Sequence, residues 1–330
     1  MSEKFEKSHE ERDGGELKPK VFDVATWSGE TLDKIIERAI TKISQEPMRF
    51  RDKVRKNFEL DAELEFDEAL RSKVLESVRN YQEKFEAASV RFSEQAAECD
   101  KLARERGYLQ TEPRGYSIVP MTELLRRGLP EGFSYVHTTS YDPNYDAVIL
   151  DIDIPNAAVA HEVGHALSVD FQKKRIGVMN LELDKKTNRL GIRGARWIDE
   201  GLTVIWERMN VNDGSEESGR RQSGDRYGWA AEAVPLLLDH LGLDQEVGLK
   251  AYFGDAEARR QLDDAIHHRF NCQLDDLQCL GYKLDIEWTK KVLAGRPVHV
   301  TIKPGWHDTE IETLEKLTQI FPNVTFNENS

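Results

Sequence analysis

Two histidines one helical turn apart are the strongest chemical signal in the sequence. The stretch HEVGH places His161 and His165 four residues apart, with Glu162 between them. On an α-helix such residues lie about 40° apart on one face, so both rings can offer a nitrogen to one metal ion. Glu162 lies about 100° round the same helix, where a carboxylate can take a proton from a metal-bound water. The pattern predicts a catalytic zinc site (Zn2+) with Glu162 as general base.

A strand followed by a helix must position this motif. The run AVILDIDI, residues 147–154, is apolar and β-branched, which is typical of a buried strand. Pro155 and Asn156 then supply a helix start, and apolar residues follow at helical spacing from Val159 to Phe171. A chain with 9 His and at most 60 Glu in 330 residues carries about 0.04 HExxH matches by chance, so the motif favours a functional site.

Later residues supply candidates for a third ligand, which a catalytic zinc needs beside one open position. The stretch WIDEGLTVIWE, residues 197–207, has a helical pattern and carries Glu200. Asp225 is the weaker alternative, because SGDRYG distantly resembles the aspartate motif of the aspzincin peptidases. Three further carboxylates are either acceptors for the second N–H of a ligand histidine or ordinary surface groups: Asp170, Asp199 and Glu207.

HEVGH followed by WIDEG resembles the gluzincin metallopeptidases, in which a glutamate on a later helix is the third zinc ligand. The resemblance covers two short helices and implies a zincin-like fold. It implies that His161, His165 and Glu200 bind zinc, and that Glu162 is the catalytic base. It also implies an oxyanion donor beyond the third ligand, where Tyr227 stands; a packed aromatic is the alternative. The 34 residues between His165 and Glu200 exceed the family's usual spacing, and no GxMEN-type aminopeptidase stretch is present.

The fold class predicted from the whole chain is α+β, in four segments. Residues 1–20 are charged and are predicted to be a disordered tail, and residues 21–112 to be a helical region. Residues 113–296 are predicted to form the zincin-like metallopeptidase domain, with a β-hairpin inserted at 178–193 that accounts for the long spacing between ligands. Residues 297–330 are predicted to form a strand, helix, strand extension.

Two apolar stripes predict the helices of the second segment. One runs from Leu32 to Ile43 and the other from Val74 to Phe92, at helical spacing, with Pro47 between them. Charged residues fill the other faces, so we predict a solvated helical hairpin that ends at Gly107. A surface for a protein partner is the alternative interpretation of these helices.

Composition excludes several other classes of function. The 46 Lys+Arg against 60 Asp+Glu leave a net charge of −14, which argues against a broad nucleic-acid interface. Cys99, Cys272 and Cys279 form no CxxC pair, so we expect reduced thiols. Because the sequence shows no signal peptide or membrane-spanning run, a cytoplasmic protein without membrane partners is expected.

These patterns together predict a zinc metallopeptidase that hydrolyses a peptide or protein substrate. The strand AVILDIDI, directly before the active helix, is expected to bind an extended peptide by edge pairing. Two other classes stay open: a zinc-binding scaffold without catalysis, and an interaction protein that works through its N-terminal helices.

Overall fold

The computed structural model has a mixed α+β architecture whose residues form two compact units. Among the described residues, the N-terminal unit contains those of 29–98 and 115–166, and the C-terminal unit contains those of 99–109 and 167–328. The α+β class is therefore confirmed. The structure describes residues 29–109, 115–128, 139–184, 186, 189–210, 226–302 and 308–328.

Helices dominate the start of the N-terminal unit. Their bounds are α1 (Gly29–Ser44), α2 (Met48–Asn57) and α3 (Phe66–Glu105). The helical prediction is confirmed, but Pro47 caps α2 at its N-terminus, so a short third helix stands where a hairpin connection was expected. The core of the unit contains Ile35, Ile36, Ile40 and Ile43 of α1, Leu70 and Val74 of α3, and Val119 and Ile149 of the sheet.

A three-stranded sheet in the same unit leads to the active helix. Its elements are β1 (Ser117–Met121), α4 (Glu123–Arg127), β2 (Ser140–Asp142) and β3 (Ala147–Asp151). The strand order is β1-β3-β2, with β1 parallel and β2 antiparallel to β3. The prediction of an edge-pairing strand at residues 147–154 was wrong, because β3 has a partner on each side. The run from Tyr135 to Thr139, whose aromatic and β-branched residues also predict a strand, lies almost entirely outside the described residues.

Helix α5 (Asn156–Leu167) follows β3 and carries the HEVGH motif, as predicted. It is apolar because it is buried: Val159, Val163 and Ala166 have no solvent-exposed area. The carbonyl of Pro155 accepts from the N–H of Ala158 at 3.1 Å, which begins the helix.

The C-terminal unit begins with an antiparallel meander of four strands in the order β4-β5-β6-β7. Their bounds are β4 (Val169–Asp170), β5 (Arg175–Ile176), β6 (Met179–Asp184) and β7 (Arg189–Arg193). Leu181 pairs with Ile192, and Leu183 with Leu190. The predicted hairpin at 178–193 is thus confirmed.

The next described elements of the unit are helices. They are α6 (Arg196–Asn210), α7 (Arg226–His240), α8 (Gln245–Tyr252), α9 (Ala256–Phe270), a 3-10 helix (Leu274–Tyr282) and α10 (Ile286–Leu293). Asp244, Asp255 and Asp285 each accept a backbone N–H as N-cap residues of α8, α9 and α10. Such a cap stabilises a helix by about 1 kcal/mol, so short aspartate side chains set these three helix starts.

The chain ends in the predicted strand, helix, strand arrangement. Strands β8 (Val298–Ile302) and β9 (Val324–Glu328) pair in parallel, with α11 (Asp308–Ile320) as the crossover. The four segment boundaries proposed from sequence stay predictions, and the tail predicted at residues 1–20 lies outside the described residues. Every helix in the described ranges is too short or too polar to cross a membrane.

Candidate metal centre

Helix α5 presents both histidines from one buried face. His161 is 9% exposed and His165 8% exposed. Their ring centroids are 5.1 Å apart and the rings are tilted by 77°. This is the relation expected for residues i and i+4, in which two rings converge without stacking face to face.

Glu200, in the second turn of α6, lies in a comparably buried place, with 7% exposure. Its Oε1 atom is 3.1 Å from Nε of Arg196, one turn earlier. The Arg196 side chain is 69% exposed, so this ion pair is largely screened and contributes little to stability. The carboxylate therefore belongs to a buried group of polar side chains and not to the protein surface.

One ligand atom from each of His161, His165 and Glu200 lies within 4.8 Å of the others. Two imidazoles and one carboxylate are the protein ligands found in many catalytic zinc sites. A tetrahedral ion with bonds of 2.0 to 2.2 Å needs donors roughly 3.4 Å apart, which lies below the 4.8 Å that bounds the separations here. The donor types, their burial and their proximity all fit a zinc ion.

Glu162 is half-buried on α5 and is held from strand β2. Its Oε2 atom accepts a hydrogen bond from the main-chain N–H of Tyr141 at 2.8 Å. Sequence reasoning missed this contact, because a backbone amide has no residue-type signature. The predicted base is consequently anchored by a strand as well as by its own helix.

A network of buried hydrogen bonds surrounds Asp199, the residue before Glu200. The neighbouring Asp199 has no exposed area, and its Oδ1 accepts the N–H of Val178 at 2.9 Å. Arg259, which is 8% exposed, donates to the carbonyl of Val178 at 2.8 Å. Thr203 lies within 3.0 Å of the hydroxyl of Tyr252, and burial raises the pKa of that phenol well above its usual value. The first turns of α6 are thereby tied to the β5–β6 connection.

The three carboxylates left open by the sequence have different environments. Asp199 and Glu207 are buried, so the surface alternative is wrong for both. Asp170 accepts the N–H of Lys173 at 2.9 Å and pairs with its ammonium at 3.2 Å, in the turn between β4 and β5. Asp170 is therefore bound within its own turn.

The two remaining candidates cannot be assigned from described side chains. Tyr227 lies in the first turn of α7, so its backbone has the helical position predicted for it. Its side chain lies outside what the structure describes, and so does all of Asp225. Tyr227 as oxyanion donor and Asp225 as alternative ligand stay predictions.

Comparison of the chain with protein-family models, with curated proteins and with solved structures finds no match in any of the three. The resemblance to the gluzincins therefore rests on the residues of HEVGH and WIDEG. The roles drawn from it stay predictions, to be weighed with the geometry of the donor group.

Proposed function

We propose that this protein is a zinc-dependent metallopeptidase of gluzincin type, built on a zincin-like catalytic fold. The observation that carries the proposal is the buried group of His161, His165 and Glu200, whose ligand atoms lie within 4.8 Å of one another. A motif of five residues can arise by chance. The presence of a glutamate from a later helix beside the same two histidines is a second observation, independent of the motif, that supports a metal site.

The protein residues have separate tasks in the proposed hydrolysis. His161 and His165 bind zinc through ring nitrogens, and Glu200 binds it through a carboxylate oxygen. When bound, zinc supplies a Lewis acid for the substrate carbonyl and lowers the pKa of water. Glu162 accepts a proton from the attacking water on its carboxylate and delivers it to the amine nitrogen of the leaving group. Tyr227 donates a hydrogen bond to the carbonyl oxygen as negative charge develops there.

Metal analysis combined with a peptide-library digest tests the proposal. The purified protein is expected to contain about one zinc per chain and to cleave peptides. Glu162→Gln should keep the zinc and lose hydrolysis by about a hundredfold or more, since general-base catalysis contributes roughly 10²–10⁴. Wild-type protein that binds zinc and cleaves nothing would favour the scaffold alternative. Protein that binds no zinc would refute the metal site.

Ligand variants test the third position. Glu200→Ala should lose zinc during dialysis against a chelator under conditions that leave wild type loaded. Asp225→Ala is the matched control, and it should retain the metal. The reverse pattern would move the third ligand to Asp225. Partner binding that depends on residues 21–110, in a protein without hydrolysis, would support the interaction alternative.

A further inference from the structure

The main-chain N–H of Tyr141 points away from β3, toward the other edge of strand β2. Within the described residues, β2 pairs with β3 only, and Tyr141 is the residue opposite Val148. Successive residues of an antiparallel pair direct their N–H groups alternately toward and away from the partner strand. Since the Tyr141 amide donates to Glu162 on helix α5, it belongs to the outward set. It binds a side chain without removing a hydrogen bond from the ladder.

The hairpin that carries this amide is fixed by its own turn. The phenol of Tyr141, a residue only 8% exposed, donates to Oδ1 of Asp146 at 2.7 Å. Asp142 accepts from the N–H of Asn144 at 2.8 Å and from its side-chain amide at 3.0 Å. The N–H of Tyr145 returns to the carbonyl of Asp142 at 3.2 Å. Hydrogen bonds within the stretch SYDPNYD, residues 140–146, therefore hold β2 to the turn that follows it.

We infer that the Tyr141 amide is a positioning group for the catalytic carboxylate of Glu162. The amide donates to Oε2 and so restricts the rotation of the carboxylate. A base held in this way does not have to be ordered again in each turnover. The inference rests on the proposed function, because holding this carboxylate affects a rate only if Glu162 is the base.

Hydrogen exchange tests the contact without any measurement of activity. With ¹⁵N-tyrosine labelling of the full-length protein, Glu162→Ala should speed exchange of the Tyr141 amide by about tenfold or more, because its charged acceptor is lost. The Tyr145 amide, bonded within the turn, is the internal control and should exchange at its wild-type rate. Unchanged exchange at Tyr141, or equal acceleration at both tyrosines, would overturn the inference.

Two variants at the same residue test its effect on catalysis. Tyr141→Ala removes the ring and keeps the amide, whereas Tyr141→Pro removes both; proline is tolerated on an edge strand where its nitrogen faces outward. The additional loss of kcat in the proline variant therefore measures the contribution of the amide hydrogen bond. We expect kcat about tenfold to a hundredfold below that of Tyr141→Ala, with KM and bound zinc within about twofold. Equal kcat values in the two variants would overturn the inference.

These experiments separate the inference from the proposed function. A wild-type protein that cleaves no peptide refutes the proposed function, and the positioning role falls with it. In that case the exchange experiment still shows whether the amide holds Glu162. If Tyr141→Pro does not fold, Glu162→Ala decides the contact in a protein whose strand is unaltered.

Discussion

Replacing Gly177 with alanine should be unusually costly for this protein. Gly177 has φ +53°, which L residues rarely adopt, and it lies directly before Val178 in the network around Asp199. A Cβ atom built on Gly177 would overlap Oδ1 of Asp199 and lie 2.7 Å from a ring carbon of Tyr252. Neither side chain has room to yield, since Asp199 and Tyr252 have no exposed area.

Two separate costs set the expected loss in stability. The left-handed backbone costs a non-glycine residue about 1–2 kcal/mol. Displacing the Asp199 carboxylate from the N–H of Val178 breaks a buried, charge-assisted hydrogen bond, which costs about 1.5–3 kcal/mol. We therefore expect Gly177→Ala to lose about 2.5–5 kcal/mol, a large share of the roughly 5–15 kcal/mol by which proteins are stable. Zinc retention should fall too, because Asp199 and Glu200 are adjacent on α6.

Gly242→Ala is the matched control for this prediction. Gly242 has φ +71°, and a Cβ built on it meets no atom within 4 Å. It therefore isolates the backbone cost from the clash. Urea unfolding followed by circular dichroism should give about 1–2 kcal/mol for Gly242→Ala and at least about 1.5 kcal/mol more for Gly177→Ala. Equal losses would refute the argument that Asp199 and Tyr252 close the space at Gly177.

Three further predictions concern the C-terminal unit. Gly201→Ala should lower the free energy of unfolding in urea by about 1–3 kcal/mol. Alanine favours helices, but its Cβ would lie 2.6 Å from the carbonyl oxygen of Ala230 on α7. An unchanged or raised stability would contradict this close helix contact. Burial raises the pKa of Cys272 to about 11 and that of Cys279 to about 12. Mass spectrometry should therefore find that iodoacetamide at pH 8 labels both thiols only after unfolding. Rapid labelling of the folded protein would contradict this prediction, because it would show that the thiols are accessible. The hydrogen bond from Lys316 lowers the pKa of Asp276, so the pair stabilises the fold above the unfolded value near 3.8 and loses this effect as pH falls through the lowered value. Lys316→Met should therefore lower the free energy of unfolding by less than about 1 kcal/mol at pH 7, because both side chains are partly exposed. In acid the variant should be as stable as wild type. A loss of stability that grows as the pH falls would contradict the prediction.

The pairing of the two histidines and most helices were predictable because they depend on local spacing, whereas Glu200 became the preferred third ligand through the resemblance to the gluzincins. His161 and His165 are related by one helical turn, and the apolar stripe of α1 needs only a period of 3.6 residues. The place of β3 was not predictable in this way. A buried, β-branched run looks the same whether it has one neighbouring strand or two. Its hairpin partner β2 is close in sequence, but its second partner β1 lies far before it in the chain. The error about edge pairing follows from this non-local information.

The first two turns of α6 show how a short motif can carry both packing and metal-binding information. In WIDEG, the indole N–H of Trp197 donates to the carbonyl of Leu277 at 2.9 Å, and Asp199 binds the N–H of Val178. Gly201 allows α7 to approach closely. Three residues thus tie these turns to three different parts of the C-terminal unit. A helix held on one side only could rotate and carry the Glu200 carboxylate away from His161 and His165. Contacts with three different elements oppose that rotation, so the residues flanking the ligand help to determine where its carboxylate lies.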